Sequence, residues 1–534
     1  MSATVQSIIA MAIYLAAMLL IGIIFAKRAS SSSDEYFLGG RGLGPWVAAF
    51  SAEASDMSGW LLMGLPGVAF FSGLADAFWT AVGLALGTYL NWLIVSKRLR
   101  RYSQVANNSI TLPDFFSNRF KEKKPVILLV SSLFILVFFA VYVASCFVTG
   151  GKLFAQLFGA SYHSMLITAA VFVIAYTLLG GFWAESISDF VQAIIMIVAL
   201  LAVVIFGVVY AGGFGAVIDN IKNIPGFLDF FGMAKTSTLN GNQIVLLGER
   251  VEWSATPTTY GALTIASTMA WGLGYFGMPQ VLLRFFAIRK VKELVLARRV
   301  AIIWCVVAMA AAVFIGLMGR AIFPAAWIGS SPVGDAGTFL FSAADAENVF
   351  IKLSQMLFNP LFAGLVMAGI LAAAMSSSDS YLLIASSAVS KNIYKGALKR
   401  EATDKQVMMV SRLTLCLIAV IGLIIAWDEN SVIFKVVSFA WAGFGAAFGP
   451  LVLFSLFWKR TTRTGAIAGI VGGGLMVFVW KLVIRPLGGG FDIYELLPAF
   501  IFGCICIIVA SLATPKPEKA ILDEFEQAKT LVIE

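Results

Sequence analysis

The sequence has little of what most enzymes need for their chemistry. One of its 534 residues is histidine, and 13% are charged. His163 lies at the edge of an apolar stretch, with no cluster of histidine, cysteine and acidic residues around it. An enzyme that works inside a membrane would need such a cluster. We therefore predict that the protein is not an enzyme and that it uses no cofactor.

Cysteine is also scarce, and its placement excludes a disulfide framework. Cys504 and Cys506 are two positions apart, so a helix would point them to different sides. The pattern predicts neither a disulfide nor a cysteine-based metal site. All five cysteines lie in apolar stretches, at positions 146, 305, 416, 504 and 506.

Hydrophobic residues make up 60% of the chain. They form about thirteen stretches long enough to cross a bilayer, so we predict an all-α integral membrane protein in the cell membrane. The first stretch is too long for the core of a signal peptide and lacks a basic leading region, so we interpret it as a retained span. The stretches lie near 5–26, 46–72, 75–96, 125–150, 162–182, 188–212, 258–286, 300–323, 361–390, 407–426, 434–457, 464–483 and 495–513.

The chain has a net charge of +9, and the distribution of its basic residues among the loops orients these spans in the lipid bilayer. Lysine and arginine concentrate in short loops at 97–101, 121–124 and 289–299. The positive-inside rule places such loops in the cytoplasm, which puts the N-terminus outside the cell and the C-terminus in the cytoplasm. Because the basic residues belong to separate loops, we predict no nucleic-acid partner. The sequence indicates no obligate protein partner either.

Two of the spans are interrupted near their middle. The second contains SAEASDMSGW at 51–60, and the seventh contains WGLGYFGMP at 271–279. Backbone groups inside a bilayer must be hydrogen-bonded internally, so a broken helix survives only where it lines a buried polar cavity. Paired broken spans in two halves of a chain indicate the binding site of a transporter. The sequence therefore predicts a protein that moves a solute.

The spacing of the broken spans predicts an internal repeat. Their starts are five spans apart, so they enter the bilayer from opposite sides, as in a five-plus-five inverted repeat. We expect the tail of the chain to be solvated or loosely helical. The predicted divisions are a first peripheral helix and cytoplasmic loop at 1–45, a first repeat at 46–212, an extracellular loop at 213–257, a second repeat at 258–457, two peripheral helices at 458–513 and a cytoplasmic tail at 514–534.

Polar residues at membrane depth are candidates for an ion path. Asp56 lies in the first break with Glu53 one turn before it, and ionisable residues inside a span mark such routes by default. The ninth span holds four serines and Asp379 within 376–380. Hydroxyls and the carbonyls of an unwound helix can bind a hard cation, although small-residue packing also explains serines. Asp189, at the start of the sixth span, suits a helix cap and an ion exit route equally.

The second break supplies a candidate substrate wall. Trp271 and Tyr275 are four residues apart, so they share one face if the local turn is helical. Their rings offer an apolar body with a polar tip. The alternative is an aromatic belt at the membrane surface, but such belts lie at span ends. Trp271 lies well inside its span, which favours contact with substrate.

Six segments, in this order, resemble the sodium/solute symporter family, most closely its proline-transporting branch. The resemblance covers nearly the whole chain and implies a leucine-transporter-like core that moves one sodium ion with each substrate. The segments are SAEASDMSGWLLMGLPG at 51–67, YVAS at 142–145, WGLGYFG at 271–277, MSS at 375–377, KNIYK at 391–395 and FAWAGFGAAFGP at 439–450.

The resemblance also implies roles for individual residues. It places sodium against the carbonyls of Ala54, Met57 and Ala373. It adds the hydroxyls of Ser376 and Ser377 as ligands, with no other metal expected.

Further roles concern coupling and substrate. The resemblance associates Asp56 with sodium dependence, and we assign Asp189 to sodium coupling beside it. Arg41 and Ser51 are associated with coupling or gating. The implied substrate contacts are Tyr142, Trp271, Tyr275, Ser58, Gly59 and Trp60.

Together these patterns predict a sodium-coupled symporter that imports L-proline by alternating access. A symporter of another small solute, such as an organic acid, an osmolyte or a sugar, is the nearest alternative. A channel would need a repeated pore motif, and a sensor would need a signalling domain after the last span. The sequence contains neither feature.

Overall fold

The computed structural model describes residues 3–29, 33–246, 251, 253–323, 331–332 and 338–531. Nearly all of them are helical. The helices are α1 (Ala3–Ala29), α2 (Ser33–Leu38), α3 (Pro45–Asp56), α4 (Leu65–Ser72), α5 (Leu74–Leu90), α6 (Ser96–Val105), α7 (Leu112–Arg119), α8 (Val126–Phe158), α9 (Tyr162–Tyr210), α10 (Phe214–Ile221), α11 (Ala262–Met269), α12 (Pro279–Ala287), α13 (Leu294–Ile322), α14 (Ala343–Ala346), α15 (Val349–Leu357), α16 (Pro360–Ser387), α17 (Asp404–Ile425), α18 (Ile433–Phe457), α19 (Arg463–Val479), α20 (Leu496–Ala513) and α21 (Lys519–Thr530).

The predicted all-α membrane fold is confirmed. Within the described residues, ten helices are long and apolar enough to cross a membrane. The remaining predicted spans are shorter or broken: α3 with α4, the first part of α9, and α11 with α12. The helix α9 turns at Gly181, where φ is 58° and ψ is −171°, so it provides two successive spans rather than one.

Both predicted interruptions are present. The first follows Asp56, where α3 ends and Met57 takes a non-helical conformation before a π-helical turn at Trp60–Gly64 leads into α4. In the second, α11 gives way to a 3₁₀ segment at Ala270–Phe276, and α12 begins after a further break, with Pro279 in its first turn. Because helix ends leave carbonyl and N–H groups without helical partners, both breaks offer polar backbone inside an apolar bundle.

Six short strands gather at one end of the helical bundle, which we name the sheet end. One strand pairing, between residues 238–239 and 242–243, lies within the predicted loop 213–257. Residues 243–246 of that loop also pair with residues 338–341 in antiparallel register. Residues 247–250 and 252 of that loop lie outside the described residues. The strands are β1 (Gly232–Met233), β2 (Thr238–Leu239), β3 (Asn242–Leu246), β4 (Thr258–Thr259), β5 (Ser331–Pro332) and β6 (Thr338–Phe341).

The opposite end carries α7 and α21, and we name it the tail end. Residues 519–530 form the helix α21, which packs on α6. The sequence led us to expect a solvated or loosely helical tail, and the tail is a helix that is packed against the bundle. Phe525 is buried against the ring of Tyr102, at 6.1 Å between centroids. Arg101 Nη1 donates to the carbonyl of Lys529 at 3.1 Å and so caps the last turn of the tail helix. The apolar residues of α21 recur at every third or fourth position, so they form one face, and this face packs against the bundle.

A glycine seam joins the two halves of the core. The seam consists of Gly83 and Gly87 of α5 and Gly272 of the second break. A Cβ added to Gly87 would lie 2.2 Å from the carbonyl oxygen of Gly272, and one added to Gly272 would lie 2.2 Å from that of Gly83. No side chain fits between these backbones, which is how small residues let membrane helices approach closely.

Candidate ion and substrate site

The end of α3 meets the middle of α16 in a group of oxygen atoms. Ser376 Oγ donates to the carbonyl of Ala54 at 2.8 Å and lies 3.2 Å from that of Ala373. Ser377 Oγ donates to the same Ala54 carbonyl at 3.3 Å. The structure thus brings together four of the five predicted sodium ligands, and the fifth, Met57, is the buried residue that caps α3.

The chemistry of this oxygen cluster suits a hard monovalent cation. Its donors are neutral hydroxyls and carbonyls, which are the ligands that alkali and alkaline-earth ions accept. A divalent ion would favour carboxylate ligands, and in the described residues no three His, Cys, Asp or Glu side chains form a possible metal group. The cluster lies where a helix break frees backbone carbonyls.

Asp56 connects the two broken helices. Its Oδ2 accepts a hydrogen bond from Tyr275 Oη at 2.7 Å, and its Oδ1 lies 3.5 Å from Gln280 Nε2. Asn91 Nδ2 in turn donates to the carbonyl of Tyr275 at 2.9 Å. In this conformation the carboxylate therefore holds the two breaks together beside the oxygen cluster.

Aromatic side chains surround Trp271, and we name this group of rings the aromatic wall. Its ring lies 5.1 Å from Tyr494, 5.2 Å from Phe434, 6.0 Å from Trp441 and 6.1 Å from Trp60, between ring centroids. Trp441 Nε1 also donates to the carbonyl of Trp271 at 2.8 Å. Both Trp271 and Tyr275 contact the ring of Trp441, as expected for residues that share one face.

A second aromatic pair lies between α8 and α16. Tyr142 stacks on Tyr381, with ring centroids 4.3 Å apart. The hydroxyls of both tyrosines, Ser58 Oγ and Trp60 Nε1 are buried and have no hydrogen-bond partner among the described residues. Buried polar atoms are nearly always paired, so a group of unpaired ones indicates where a polar ligand binds.

Gly59 has a packing role that its sequence motif does not reveal. A Cβ at this position would lie 2.2 Å from Thr149 Oγ1 of α8. The first break can therefore approach α8 only because residue 59 has no side chain. This contact holds the first break against α8.

A buried charged cluster lies in the half of the core nearer the tail end. Arg284 Nη2 contacts Glu185 Oε1 at 2.5 Å and Asp189 Oδ2 at 3.0 Å. Ser51 Oγ donates to Asp189 Oδ2 at 2.7 Å and accepts from Arg284 Nε at 2.9 Å. Ser380 Oγ donates to Glu185 Oε1 at 2.5 Å. The predicted coupling residues Ser51 and Asp189 are therefore in direct contact.

The sequence analysis did not identify Arg284 or Glu185. A signal existed for both, because Arg284 is a lone cation in an apolar helix and Glu185 precedes Asp189 by one helical turn. Asp379 adds a third acid: its Oδ1 accepts from the backbone N–H of Ser380 at 2.7 Å, and its Oδ2 has no partner among the described residues. The cluster thus places three carboxyl groups around one guanidinium.

Arg41 and Glu53 lie apart from these groups. Arg41 Nη2 donates to the carbonyl of Ser109 at 2.7 Å and Nη1 donates to that of Phe286 at 2.9 Å, so it joins the start of α3 to the tail-end loops. These contacts do not bring it to the oxygen cluster or the aromatic wall. Glu53 is buried with its Oε2 unpaired among the described residues.

A separate ion pair closes the sheet end above the aromatic wall. Lys152 Nζ lies 3.0 Å from Glu347 Oε2 and donates to the carbonyl of Ser431 at 2.8 Å. The Glu347 carboxylate also accepts from the backbone N–H groups of Ile433 and Phe434, each at 3.0 Å. It thereby caps the first turn of α18, where the positive end of a helix attracts an anion. The sequence analysis did not predict this contact.

Comparison with known proteins agrees with this architecture. Residues 36–473 match the sodium:solute symporter family. The chain is 43% identical to a sodium/proline symporter of Haemophilus influenzae, covering 98% of this chain and 97% of that protein. It is 41% identical to a sodium/proline symporter of Escherichia coli, covering 99% of this chain and 97% of that one.

Solved structures show the same fold at much lower identity. A sodium-coupled sialic acid symporter in its substrate-bound outward-open state has a TM-score of 0.72 at 19% identity, covering 96% of this chain and 99% of that one. MhsT in complex with L-phenylalanine has a TM-score of 0.51 at 13% identity, covering 88% of this chain and 98% of that one. The predicted leucine-transporter-like core is confirmed. The chain is a member of the sodium:solute symporter family.

Proposed function

We propose that this protein is a secondary transporter that imports L-proline together with sodium across the cell membrane. The oxygen cluster between Ala54 and the serines of α16 is the observation that carries the sodium assignment. The relatives named sodium/proline symporters, at 40–43% identity over nearly the full chain, support proline as the solute.

The aromatic wall suits this solute chemically. A proline zwitterion has an apolar ring and two charged ends. The rings around Trp271 supply apolar cover, while the unpaired hydroxyls of Tyr142 and Tyr381 supply polar contacts. No contact among the described residues favours another small solute.

We further propose that the tail end faces the cytoplasm, because the basic loops lie there. The units 46–212 and 258–457 are then the two inverted repeats, flanked by peripheral segments 1–45 and 458–513. Sodium and proline bind between the breaks while both ends are closed. Opening one end at a time would give alternating access.

Uptake into proteoliposomes tests the proposed coupling. With one sodium ion per zwitterion the transported complex is positively charged, so proline uptake should generate inward current and accelerate when the interior is negative. A potential of about 100 mV contributes about 2.3 kcal/mol per charge and a tenfold sodium gradient about 1.4, enough for roughly 500-fold accumulation. Electroneutral uptake that ignores sodium would refute symport, and preferential competition by another solute would redirect the substrate assignment.

A pair of neighbouring serines tests the ion site. Ser377→Ala deletes one proposed ligand with little change in volume, so the sodium concentration for half-maximal transport should rise about tenfold. Ser378→Ala is the matched control, because Ser378 Oγ donates to the carbonyl of Ala374 in its own helix at 2.7 Å. Equal sodium dependence in the two variants would place the ion elsewhere.

A further inference from the structure

Tyr381 occupies a junction between the proposed ion and substrate sites. It follows Ser377 by four residues on α16, so the two side chains lie on the same face of that helix. Its ring is fully buried and stacks on both Tyr142, at 4.3 Å, and Phe139, at 5.0 Å. The neighbouring rings fix the direction of the hydroxyl.

The hydroxyls of this pair lie near each other, and that of Tyr381 lies near Ser377, but neither forms a hydrogen bond of good geometry among the described residues. Tyr142 Oη and Tyr381 Oη are both buried, and neither has a partner at hydrogen-bonding geometry among the described residues. Leaving a buried donor unpaired is unfavourable by an amount similar to the worth of a hydrogen bond. Phenylalanine would provide the same stacking without that penalty, so the two hydroxyls, which can each donate or accept, indicate a polar ligand.

The indole N–H of Trp60, in the first break, indicates what kind of ligand would bind there. Trp60 Nε1 is also buried and unpaired among the described residues, and an indole nitrogen can only donate. Three unpaired donors on α8, α16 and the first break favour an anionic acceptor over a cation. Hydrogen bonds to a carboxylate are stronger than those to a neutral group.

We propose that Tyr381, together with Tyr142, binds the carboxylate of the transported amino acid and so connects substrate binding to the sodium ligand one helical turn away. This inference rests on the proposed function, and it specifies a substrate contact that the sequence motifs do not indicate. Because Tyr381 and Ser377 share one turn of α16, a carboxylate held at residue 381 favours the position of α16 that binds the ion.

The test combines a conservative variant with a modified ligand. Tyr381→Phe removes only the hydroxyl, and equilibrium binding of L-proline and L-prolinamide is measured on the purified full-length protein at saturating sodium. We expect Tyr381→Phe to weaken L-proline binding about tenfold to a hundredfold and to weaken prolinamide binding much less, because a neutral carboxamide oxygen accepts a weaker hydrogen bond than a carboxylate does. An equal loss for both ligands, or unchanged proline affinity, would overturn the proposal.

A second measurement separates this role from a purely structural one. Sodium affinity without substrate should be the same in Tyr381→Phe and wild type, whereas the gain in sodium affinity caused by proline should shrink, since linked ligands affect each other reciprocally. The control is Tyr162→Phe, which removes a hydrogen bond of 2.8 Å to the Ala426 carbonyl, away from both sites. A similar loss of proline affinity in that control would assign the effect to general destabilisation.

The proposal and the proposed function fail in different ways. If wild-type protein binds neither sodium nor proline, the symport assignment is wrong whatever Tyr381 does. If wild-type protein binds both but Tyr381→Phe distinguishes no ligand, the symport assignment stands and the role of Tyr381 is rejected.

Discussion

The two ends of the molecule are closed by ion pairs of different design. At the sheet end, Glu347 receives a lysine and two backbone N–H groups, so both of its oxygens are paired. At the tail end, Arg284 receives Glu185 and Asp189, yet Glu185 Oε2 and Asp189 Oδ1 have no partner among the described residues. At the sheet end both carboxylate oxygens have partners, whereas at the tail end each of the two carboxylates keeps one oxygen without a partner among the described residues.

This difference fits different tasks. The Glu347 carboxylate, with both oxygens paired, closes the sheet end as a clasp between Lys152 and the first turn of α18. The unpaired oxygens of Glu185 and Asp189 beside Asp379 are acceptors that a cation could use, in line with the predicted role of Asp189 in sodium coupling. The two closures therefore predict unequal responses to mutation.

The largest effect is expected at Arg284. Arg284→Gln leaves the carboxylates of Glu185 and Asp189 buried without their cation, which destabilises a protein by about 3–5 kcal/mol. We expect loss of uptake and a lower melting temperature in detergent. Arg284→Lys keeps the charge but cannot contact Ser51 and both acids at once, so it should recover only part of either property. Normal uptake in Arg284→Gln would show that the cluster does not close the tail end.

A smaller effect is expected at the clasp. Glu347→Ala removes the acceptor for the N–H groups of Ile433 and Phe434, a contribution of about 1.5–3 kcal/mol for hydrogen bonds to a charge. Hydrogen exchange at these two amides should rise at least about tenfold while the protein stays folded. Glu429→Ala, an exposed acid on the preceding loop, is the control. Unchanged exchange at 433–434 would mean that α18 does not depend on the clasp.

The smallest effect is expected at the tail helix, outside both closures. Phe525→Ala removes the main apolar contact of α21 with Tyr102, so trypsin should cleave more rapidly after Lys519 and Lys529. Uptake should change by less than about twofold, because the tail contacts neither proposed binding site. Asp523→Ala, on the exposed face of α21, should leave cleavage unchanged. A large loss of uptake in Phe525→Ala would add the tail to the tail-end closure.

The sequence predicted the fold and the centre of the site because both leave local signals. Apolar stretches of membrane length predict spans, and Asp56 or Trp271 within such a stretch indicates a break. Ser376 and Ser377 stand out as polar residues in an apolar helix, and the structure places both against Ala54 as expected. These signals are local because each helix in lipid must satisfy its own backbone polar groups, whatever its neighbours are.

The missing parts depend on contacts between distant segments. Lys152 and Glu347 are 195 residues apart. Lys152 is the one charged residue of the apolar helix α8, but nothing in the sequence indicates which acid it pairs with. The sequence of α21 is typical of a charged, solvated tail because it contains few apolar residues, so it did not indicate that one face packs against the bundle. Tyr381 was missed because a tyrosine in an apolar helix suggests packing until its hydroxyl is found unpaired.

The glycine seam has a consequence for how the protein can move. Where α5 meets the second break, backbone touches backbone at Gly83, Gly87 and Gly272, with no layer of side chains to rearrange. Side chains between two helices can change rotamer and so allow the helices to slide past each other. Two backbones in direct contact have no side chains between them that could adjust in this way. The seam should therefore hold the two segments rigidly together, so that α5 and the second break move as one rigid body. Any rotation that exposes the bound solute has to occur at other surfaces of the bundle.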